Sequence, residues 1–449
     1  MSSTTKSPRT SVRLRIFGLM WILVLLNFID RSALSISLPF ISKEYDITPA
    51  IQGWLLSSFF WTYLLFQLPG GWLLDRIGPR RVVSYAGAVW GLFQILGGLI
   101  TGGGLLVVSR LGLGAAEAPV SPSAAKLNSS WLPSKERARG ATFVDMAGAF
   151  GTAVGGLIVT GLIGFTGSWR AAFIITGILT VILSVLNFVA IRDTPEQHTR
   201  VNAAELDHIR DGLDPALEAE SPMAAPRLSD YARSSSFWGL WFGRLGWATV
   251  WWGIISWTPS YLSNSLHFSL AGLGWGTFFV YGVGVLGELL SGWATDHFRD
   301  RFRNWNLVMK VILAISGVGT VVSVLLVSTT HNGYVALVFL AMAVFFNQMG
   351  GIYWAMPAWL APKRQVGTVG GVMNVASSLG GGIAPVAIGF AITAGSGSYT
   401  GAFVFLAFAG VVYLAGSMFI DFMRPLARNR YGDVSLTGGG AGAASELTR

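Results

Sequence analysis

The sequence reads GWLLDR at Gly71–Arg76, and 221 residues later it reads GWATDH at Gly292–His297. Each stretch follows a long apolar segment. A second correspondence joins Phe150–Gly156 to Leu379–Gly382, because a large apolar residue precedes glycines in both. Such an internal repeat indicates a chain built by duplication of one half, which is typical of membrane transporters.

Composition places this repeat in a membrane. Of the 449 residues, 52% are hydrophobic and 12% are charged, and the mean hydropathy is +0.56. A water-soluble core does not absorb that much apolar surface, whereas one helix crosses a bilayer with about 20 apolar residues. We therefore predict an all-α membrane protein, with twelve transmembrane helices in two pseudo-symmetric six-helix bundles. The predicted segments are 16–41, 51–74, 82–102, 105–131, 140–164, 170–191, 237–264, 270–295, 306–329, 333–360, 367–393 and 398–424.

Residues 192–236 interrupt the apolar pattern with charges and prolines. They are predicted to form a cytoplasmic linker that contains a short amphipathic helix at Ala203–Gly212. The predicted N-terminal bundle is 1–191, the C-terminal bundle is 237–430, and 431–449 is predicted to be a flexible tail.

The net charge of +9 follows the predicted topology. Lysines and arginines gather before the first segment and in alternate loops, as at Arg80, Lys135, Arg301 and Lys363. Short loops rich in Lys and Arg stay in the cytoplasm, so both termini are predicted to be cytoplasmic in a bacterial inner membrane. The positive charge is thus explained by the orientation of the chain in the lipid bilayer. Nucleic acid is not a predicted partner.

Several function classes are excluded by residue types. The chain has no cysteine, and its five histidines fall in predicted loops or at helix ends, so no metal cluster is expected. No phosphate-binding loop follows a strand, and no His, Cys or paired-carboxylate constellation suggests an enzyme. We expect no cofactor. Transport is expected to be driven by an ion gradient.

The run GGWLLDRIGPRR at Gly70–Arg81 resembles the loop signature of the major facilitator superfamily. Its glycines let helices approach, while Asp75, Arg76 and Arg80 are able to pair with neighbouring helix ends in one conformation. We predict that these three residues, with Asp296 in the repeat, act in gating.

Further motifs resemble the anion:cation symporter family within that superfamily. They are Asp30-Arg31, FQLPG at Phe66–Gly70, Arg110 with Glu117-Ala118-Pro119, and AELD at Ala204–Asp207. That family includes bacterial carriers of galactonate, hexuronates, glucarate and aromatic acids, and animal carriers of sialic acid and glutamate. The resemblance implies an organic anion that moves together with protons by alternating access.

The bacterial galactonate-type carriers are the most similar subgroup. By position, the resemblance implies that Asp30 and Glu117 couple protons, and that the substrate contacts include Arg31, Tyr63, Arg110 and Asn374. Two departures concern Phe28, where an aromatic hydroxyl is expected, and Gly148, which falls near an expected glutamine. Asp145, Arg244 and Glu288 are not expected in a galactonate-type carrier. The resemblance therefore does not identify the substrate.

The charges themselves support a site. A charged side chain at mid-membrane costs about 2.5–3.5 kcal/mol on insertion scales, so each needs a partner or a function. Arg110 and Glu117 are two helical turns apart and share one face, whereas Asp30 and Arg31 point about 100° apart. We expect Arg31 to clamp a carboxylate and Asp30 and Glu117 to exchange protons; a static ion pair between helices is the alternative.

Two further groups of residues each have two possible interpretations. Asp145 and Glu288 are candidates for proton coupling and Arg244 for substrate binding, or all three form a salt bridge between the halves. Trp251 or Trp252 is predicted to line the cavity, and Trp251 and Tyr353 join the substrate-binding candidates, with helix packing as the alternative.

Together these residues predict a monomeric, proton-coupled symporter that imports an organic carboxylate, such as an aldonate, hexuronate, aldarate, aromatic acid or dicarboxylic acid. A proton-driven efflux antiporter of the same fold is one alternative, although the glycines near Gly148 come without the proline usual there. A membrane nutrient sensor without flux is the other.

Overall fold

A computed structural model describes residues 9–210, 228–299, 301–302, 304–330, 332–361, 365–424 and 426, and every regular element in these ranges is helical. The first helices are α1 Val12–Tyr45, α2 Pro49–Ile77, α3 Pro79–Leu99, α4 Gly103–Glu117, α5 Val120–Trp131, α6 Ser134–Thr166 and α7 Trp169–Ala190. The next are α8 Ala203–Arg210, α9 Leu228–Tyr231, α10 Ser235–Asn264 and α11 Leu270–Arg299. The last are α12 Trp305–Thr329, α13 Gly333–Met349, α14 Met356–Leu360, α15 Val366–Ala394 and α16 Thr400–Met418.

Nine helical stretches in the described part of the chain are long and apolar enough to cross a membrane. The helices α2 and α10 are long enough, with 29 and 30 residues, but they carry a high share of Trp, Ser, Gly and Pro. The helices α4 and α5 divide one predicted segment between them. The all-α membrane fold is confirmed, and the count of twelve transmembrane helices stays a prediction.

Two predicted segments are interrupted at corresponding places in the repeat. Segment 105–131 is divided between α4 and α5 at Pro119, which has no backbone N–H to continue the helix. Segment 333–360 contains a 3₁₀ helix, Gly350–Ala355, whose two adjacent glycines are poor helix formers. Each break lies beside a carboxylate, because Glu117 ends α4 and Glu288 of α11 lies next to Gly351.

The helices pack in two groups. In the N half, α1 packs on α6 and α7, α3 on α4 and α7, and α2 on α4. In the C half, α10 packs on α15 and α16, α11 on α13, and α12 on α13 and α16. Within the described residues, the halves pack against each other mainly through α2 with α15, α6 with α11, and α1 with α10.

The predicted linker is described in part. Its amphipathic helix is α8, although Gly212 lies outside the described residues, as do 211–227 and the predicted tail 431–449. The domain boundaries therefore stay predictions.

The halves touch near the far face, which we define as the face opposite the terminal face, where α1 begins and α16 ends. A Cβ added to Gly53 of α2 would lie 2.5 Å from the carbonyl oxygen of Pro385 in α15. A Cβ added to Gly156 of α6 would lie 2.7 Å from Cβ of Thr277 in α11. Glycine is needed at these crossings because it lets two helix backbones approach closely.

Toward the terminal face, the helices that meet at these crossings move apart. Asp145 lies three turns, roughly 16 Å, before Gly156 on α6, and its side chain is exposed. Gly371 lies three turns before Gly382 on α15, and nothing else in the described chain comes within 4 Å of a Cβ added there. A cavity between the halves therefore opens toward the terminal face.

Candidate binding site between the two halves

An ion pair stands at the wall of this cavity. Arg31 of α1 donates a hydrogen bond from Nη2 to Oε1 of Glu117, the last residue of α4. The Arg31 side chain is 15% exposed, whereas Glu117 is 3% exposed. The cation is thus reachable from the cavity while its carboxylate partner is inside the protein.

Aromatic rings surround the guanidinium group of Arg31. From its Cζ atom, the ring centroids lie 4.6 Å away for Phe59, 4.8 Å for Trp252, 5.0 Å for Phe28, 5.9 Å for Tyr63 and 6.0 Å for Phe60. Four of these rings belong to the N half, and Trp252 belongs to α10 of the C half. Because ring faces attract cations, this aromatic cage, defined by these five rings, holds Arg31 in place.

A second pair of charges lies deeper in the N half. Asp30 is buried and accepts a hydrogen bond of 2.8 Å at Oδ2 from the indole N–H of Trp90. Arg110 of α4 is buried over the ring of Phe173, and its Nε and Nη2 have no hydrogen-bond partner in the described chain. Arg110 is close enough to Asp30 and Glu117 to interact electrostatically with both. The N half thus holds two cations and two carboxylates.

Arg244 is the corresponding buried cation of the C half. Its Cζ lies 4.2 Å from the ring centroids of both Trp247 and Trp354. Nε and Nη1 have no hydrogen-bond partner, and no carboxylate lies within 4 Å of this side chain in the described part of the chain. A buried guanidinium without an anion is unfavourable, so this arrangement calls for a partner in another state or in a ligand.

Two carboxylates face each other across the cavity near Arg244. Glu288 lies three turns after Thr277 on α11, just as Asp145 lies three turns before Gly156 on α6, so both are on the faces that meet at the far side. Asp145 interacts electrostatically with Glu288 and with Arg244. Asp145 of the N half therefore interacts with both an acid and a cation of the C half.

These features agree with the comparison to known protein families. The profile described as "Major Facilitator Superfamily" matches residues 20–385. The chain belongs to this superfamily. It is therefore a membrane transporter and not an enzyme.

Individual relatives narrow the kind of transporter. The chain is 27% identical to the probable galactarate/D-glucarate transporter GarP of Escherichia coli K12, covering 92% of this chain and 96% of that one. It is 29% identical to the probable sulfoacetate transporter SauU of Cupriavidus necator, covering 93% and 95%. It is 30% identical to the D-galactonate transporter of Escherichia coli O6:H1, covering 83% and 87%. This transporter is therefore related to carriers of organic acids.

A solved structure has the same fold. It is a bacterial homolog of the human lysosomal transporter Spinster in an inward-facing and unoccupied conformation. The TM-score is 0.74 with 18% sequence identity, covering 92% of this chain and 98% of that one.

The remaining predicted substrate contacts divide into two groups. Tyr63 is half-buried, with its hydroxyl 3.4 Å from Oγ of Ser121, and Asn374 is half-buried on α15. Trp251 packs against the rings of Trp247 and Tyr281, away from Arg31. Tyr353 is fully buried, and its hydroxyl lies 2.8 Å from Oγ of Ser417. The tryptophan beside the transporter's ion pair is thus Trp252, which the sequence did not separate from Trp251.

The predicted gating residues have defined partners. Asp75 accepts a 2.7 Å ion-pair contact from Lys126 of α5, and Arg76 lies 4.0 Å from the ring centroid of Trp72. Arg80 donates from its backbone N–H to Asp193 and from Nε to the carbonyl of Phe188. Asp296 is exposed on α11. The repeat pattern gave no signal for Lys126, Trp90 or Phe59, because their roles arise from contacts between helices.

Within the described ranges, no group of three or more His, Asp or Glu side chains is placed to hold a metal ion.

Proposed function

We propose that this transporter is a proton-coupled symporter that imports an organic carboxylate across a bacterial inner membrane by alternating access. The observation that carries the proposal is the Arg31–Glu117 ion pair, in which a cavity-facing guanidinium is held by a buried carboxylate. The relatives are named as transporters of organic acids, and a guanidinium is the side chain best suited to bind a carboxylate in two-point contact.

The coupling follows from competition for Arg31. While Glu117 is ionised it satisfies Arg31, so a substrate carboxylate has to displace a strong partner. When Glu117 takes up a proton, the pair loses its attraction and Arg31 is free for the substrate. Asp30 and Arg110 repeat this relation one layer deeper, since Arg110 interacts with both carboxylates. A proton and a carboxylate therefore bind together.

Asp145 of the N half and Glu288 of the C half provide the conformational step. Ionised Asp145 and Glu288 repel each other across the cavity, which favours the open terminal face. Protonation of one of them, or approach of Arg244 between them, lets α6 and α11 close there. Arg244 also offers a second contact to a substrate with a second anionic group.

The orientation completes the proposal. The concentration of Lys and Arg in loops of the terminal face supports a cytoplasmic position of this face. The open cavity is then the state that releases substrate inside the cell. The ion pair of Asp75 with Lys126 exchanges partners when this face closes. The residues of the proposed site all come from one chain, which supports a monomer.

Uptake into proteoliposomes tests the proposal. Labelled aldonates, hexuronates, aldarates and aromatic carboxylates are offered with and without an imposed inward proton gradient. We expect the gradient to drive accumulation of one class in the wild type. Glu117→Gln should keep exchange of labelled for unlabelled substrate but lose gradient-driven accumulation.

The matched control is Glu44→Gln, which removes the carboxylate of another Arg–Glu pair, with Arg170, outside the site. It should leave accumulation unchanged. Full accumulation by Glu117→Gln, or extrusion of lipophilic cations without uptake of any acid, would overturn the proposal.

A further inference from the structure

The aromatic cage has a second feature that depends on glycine. Phe28 of α1 lies over Gly148 of α6, where an added Cβ would come within 2.8 Å of its ring carbon Cε2. Gly151, one turn on, would bring a Cβ within 3.1 Å of the Cβ of Phe28. Any larger residue at 148 would displace the ring, so Gly148 is the residue that allows Phe28 to stand beside Arg31.

Phe28 forms an aromatic surface together with a ring of the C half. The rings of Phe28 and Trp252 are nearly parallel, at 16°, with centroids 6.2 Å apart. Both side chains are half-buried, while Phe59 and Phe60 behind them are buried. The partly accessible surfaces around the Arg31 guanidinium are therefore mainly ring faces.

Polar side-chain groups are few beside these rings. Within the described residues, the polar side-chain groups of the cage are the Tyr63 hydroxyl, which lies 3.4 Å from Oγ of Ser121, and the indole N–H of Trp252. An open-chain sugar acid carries a hydroxyl on nearly every carbon, and hydroxyls placed against ring faces lose their hydrogen bonds to water without replacement. A flat ring loses no hydrogen bonds to water there and gains contact with the exposed surfaces of both rings.

We infer that the substrate is an aromatic carboxylate, whose ring lies against Phe28 and Trp252 while its carboxylate binds Arg31. This inference rests on the proposed function, since it names the class of acid that the same site carries. Contact with Trp252 also joins the substrate to both halves at once, so a flat ring favours their closure around it.

Counterflow in proteoliposomes tests the inference, because it reports exchange through the site without a gradient. Labelled 4-hydroxybenzoate is compared with galactarate, galactonate and glucuronate, the last being a cyclic sugar acid. We expect 4-hydroxybenzoate to exchange at least about tenfold more efficiently than the three sugar acids.

Variants of this aromatic surface give a second measurement. Phe28→Ala should weaken the apparent affinity for 4-hydroxybenzoate about fivefold by removing one ring contact, and Phe28→Tyr should keep it. Gly148→Gln should weaken it at least as much by displacing Phe28. Gly161→Gln is the control on the same helix, since nothing else in the described chain lies within 4 Å of a Cβ there.

The outcomes separate the two proposals. Preference of the wild type for any sugar acid, or an unchanged affinity in Phe28→Ala, overturns the aromatic substrate and leaves proton-coupled import standing. If no carboxylate of the panel is exchanged or accumulated, the proposed function fails as well. Phe28→Tyr guards against misfolding, because it must remain active if the ring is what matters.

Discussion

At the scale of single residues, the site is organised by guanidinium groups that rest on aromatic rings. Arg31 has five rings around it and one carboxylate, whereas Arg244 has two rings at 4.2 Å and no close carboxylate in the described chain. Lysine cannot replace arginine in such a place, since it lacks the planar fork and the flat face that stacks.

Arg31→Lys should therefore keep the charge and lose binding. We expect the apparent affinity for the transported acid to fall at least about tenfold, which corresponds to roughly 1.4 kcal/mol, while Arg31→Gln abolishes counterflow. The concentration dependence of counterflow measures both. Arg170→Lys, whose guanidinium pairs with Glu44 outside the site, should behave as the wild type, and equal affinities in the two lysine variants would contradict the role of Arg31.

Residues of this site were predictable because membrane charges are expensive. Asp30, Arg31, Arg110 and Glu117 stand out in apolar segments, and the structure gathers them in the N half. Their pairing was not predictable, since it depends on how each helix is rotated. The same limit applies to Trp251 and Trp252, which are adjacent in sequence and point to different surroundings.

At the scale of helices, glycines determine where the halves meet. Gly53→Leu would force a side chain against the backbone of Pro385, and overpacking of this kind costs about 1–3 kcal/mol. The contact exists only while the far face is closed, so we expect the variant to favour closure of the terminal face instead.

The absence of cysteine makes this shift measurable. A single Gly371→Cys variant places a thiol on the open face of α15, and its labelling by a water-soluble maleimide reports the open state. Gly53→Leu should slow labelling several-fold, Gly53→Ala should slow it less, and Gly161→Leu should not change it. An unchanged rate in Gly53→Leu would show that this crossing does not hold the state.

The linker helix α8 is joined to α1 and α6 by a charged cluster at the terminal face. Arg13 donates to Glu136 at 3.1 Å and to the buried Glu205 at 3.3 Å, and His208 shares a 2.9 Å hydrogen bond with Glu136. Burial by itself would raise the pKa of Glu136, but the hydrogen bonds with Arg13 and His208 lower it below the ordinary value of 4.5.

A lowered pKa fixes the sign of a pH effect. The stabilisation by Glu136 is present above its unfolded pKa and is lost as pH falls through the lower folded pKa. Glu136→Gln should therefore reduce the free energy of unfolding by about 0.5–1 kcal/mol at pH 7, and the difference should shrink as the pH falls below 4.5. Thermal unfolding at a series of pH values in detergent measures it, with Asp207→Asn, which changes an exposed carboxylate of the linker helix α8, as control. A difference that grows toward low pH would contradict this account.

Helix breaks show what the sequence leaves undecided at this scale. Pro119 ends α4, yet Pro69, Pro259 and Pro385 lie inside continuous helices. Proline alone therefore does not predict a break in a membrane helix, because neighbouring helices and local adjustments accommodate it.

At the scale of the whole molecule, the repeated halves were visible in the sequence, but the side that is open was not. A transporter that alternates between two open states has one sequence that must be compatible with both. The sequence therefore does not indicate which face is open. The open terminal face is consistent with mutual repulsion of Asp145 and Glu288, which approach from opposite halves.

Neutralising one of these acids should therefore favour closure. We expect Asp145→Asn and Glu288→Gln each to slow maleimide labelling of Gly371→Cys several-fold at alkaline pH, where the repulsion between the two carboxylates is strongest, because each substitution removes this repulsion. Asp421→Asn changes a carboxylate that pairs with Arg424 and should have no effect. Faster labelling in Asp145→Asn would indicate instead that Asp145 helps to close this face.

The most direct test of the account is whether a proton moves with the substrate. Proteoliposomes without any imposed gradient are given the transported acid in a weakly buffered medium, and the external pH is recorded. We predict that substrate entry makes the medium more alkaline in the wild type and leaves its pH unchanged in Glu117→Gln. Uptake by the wild type without a change in pH, or with acidification, would contradict proton symport.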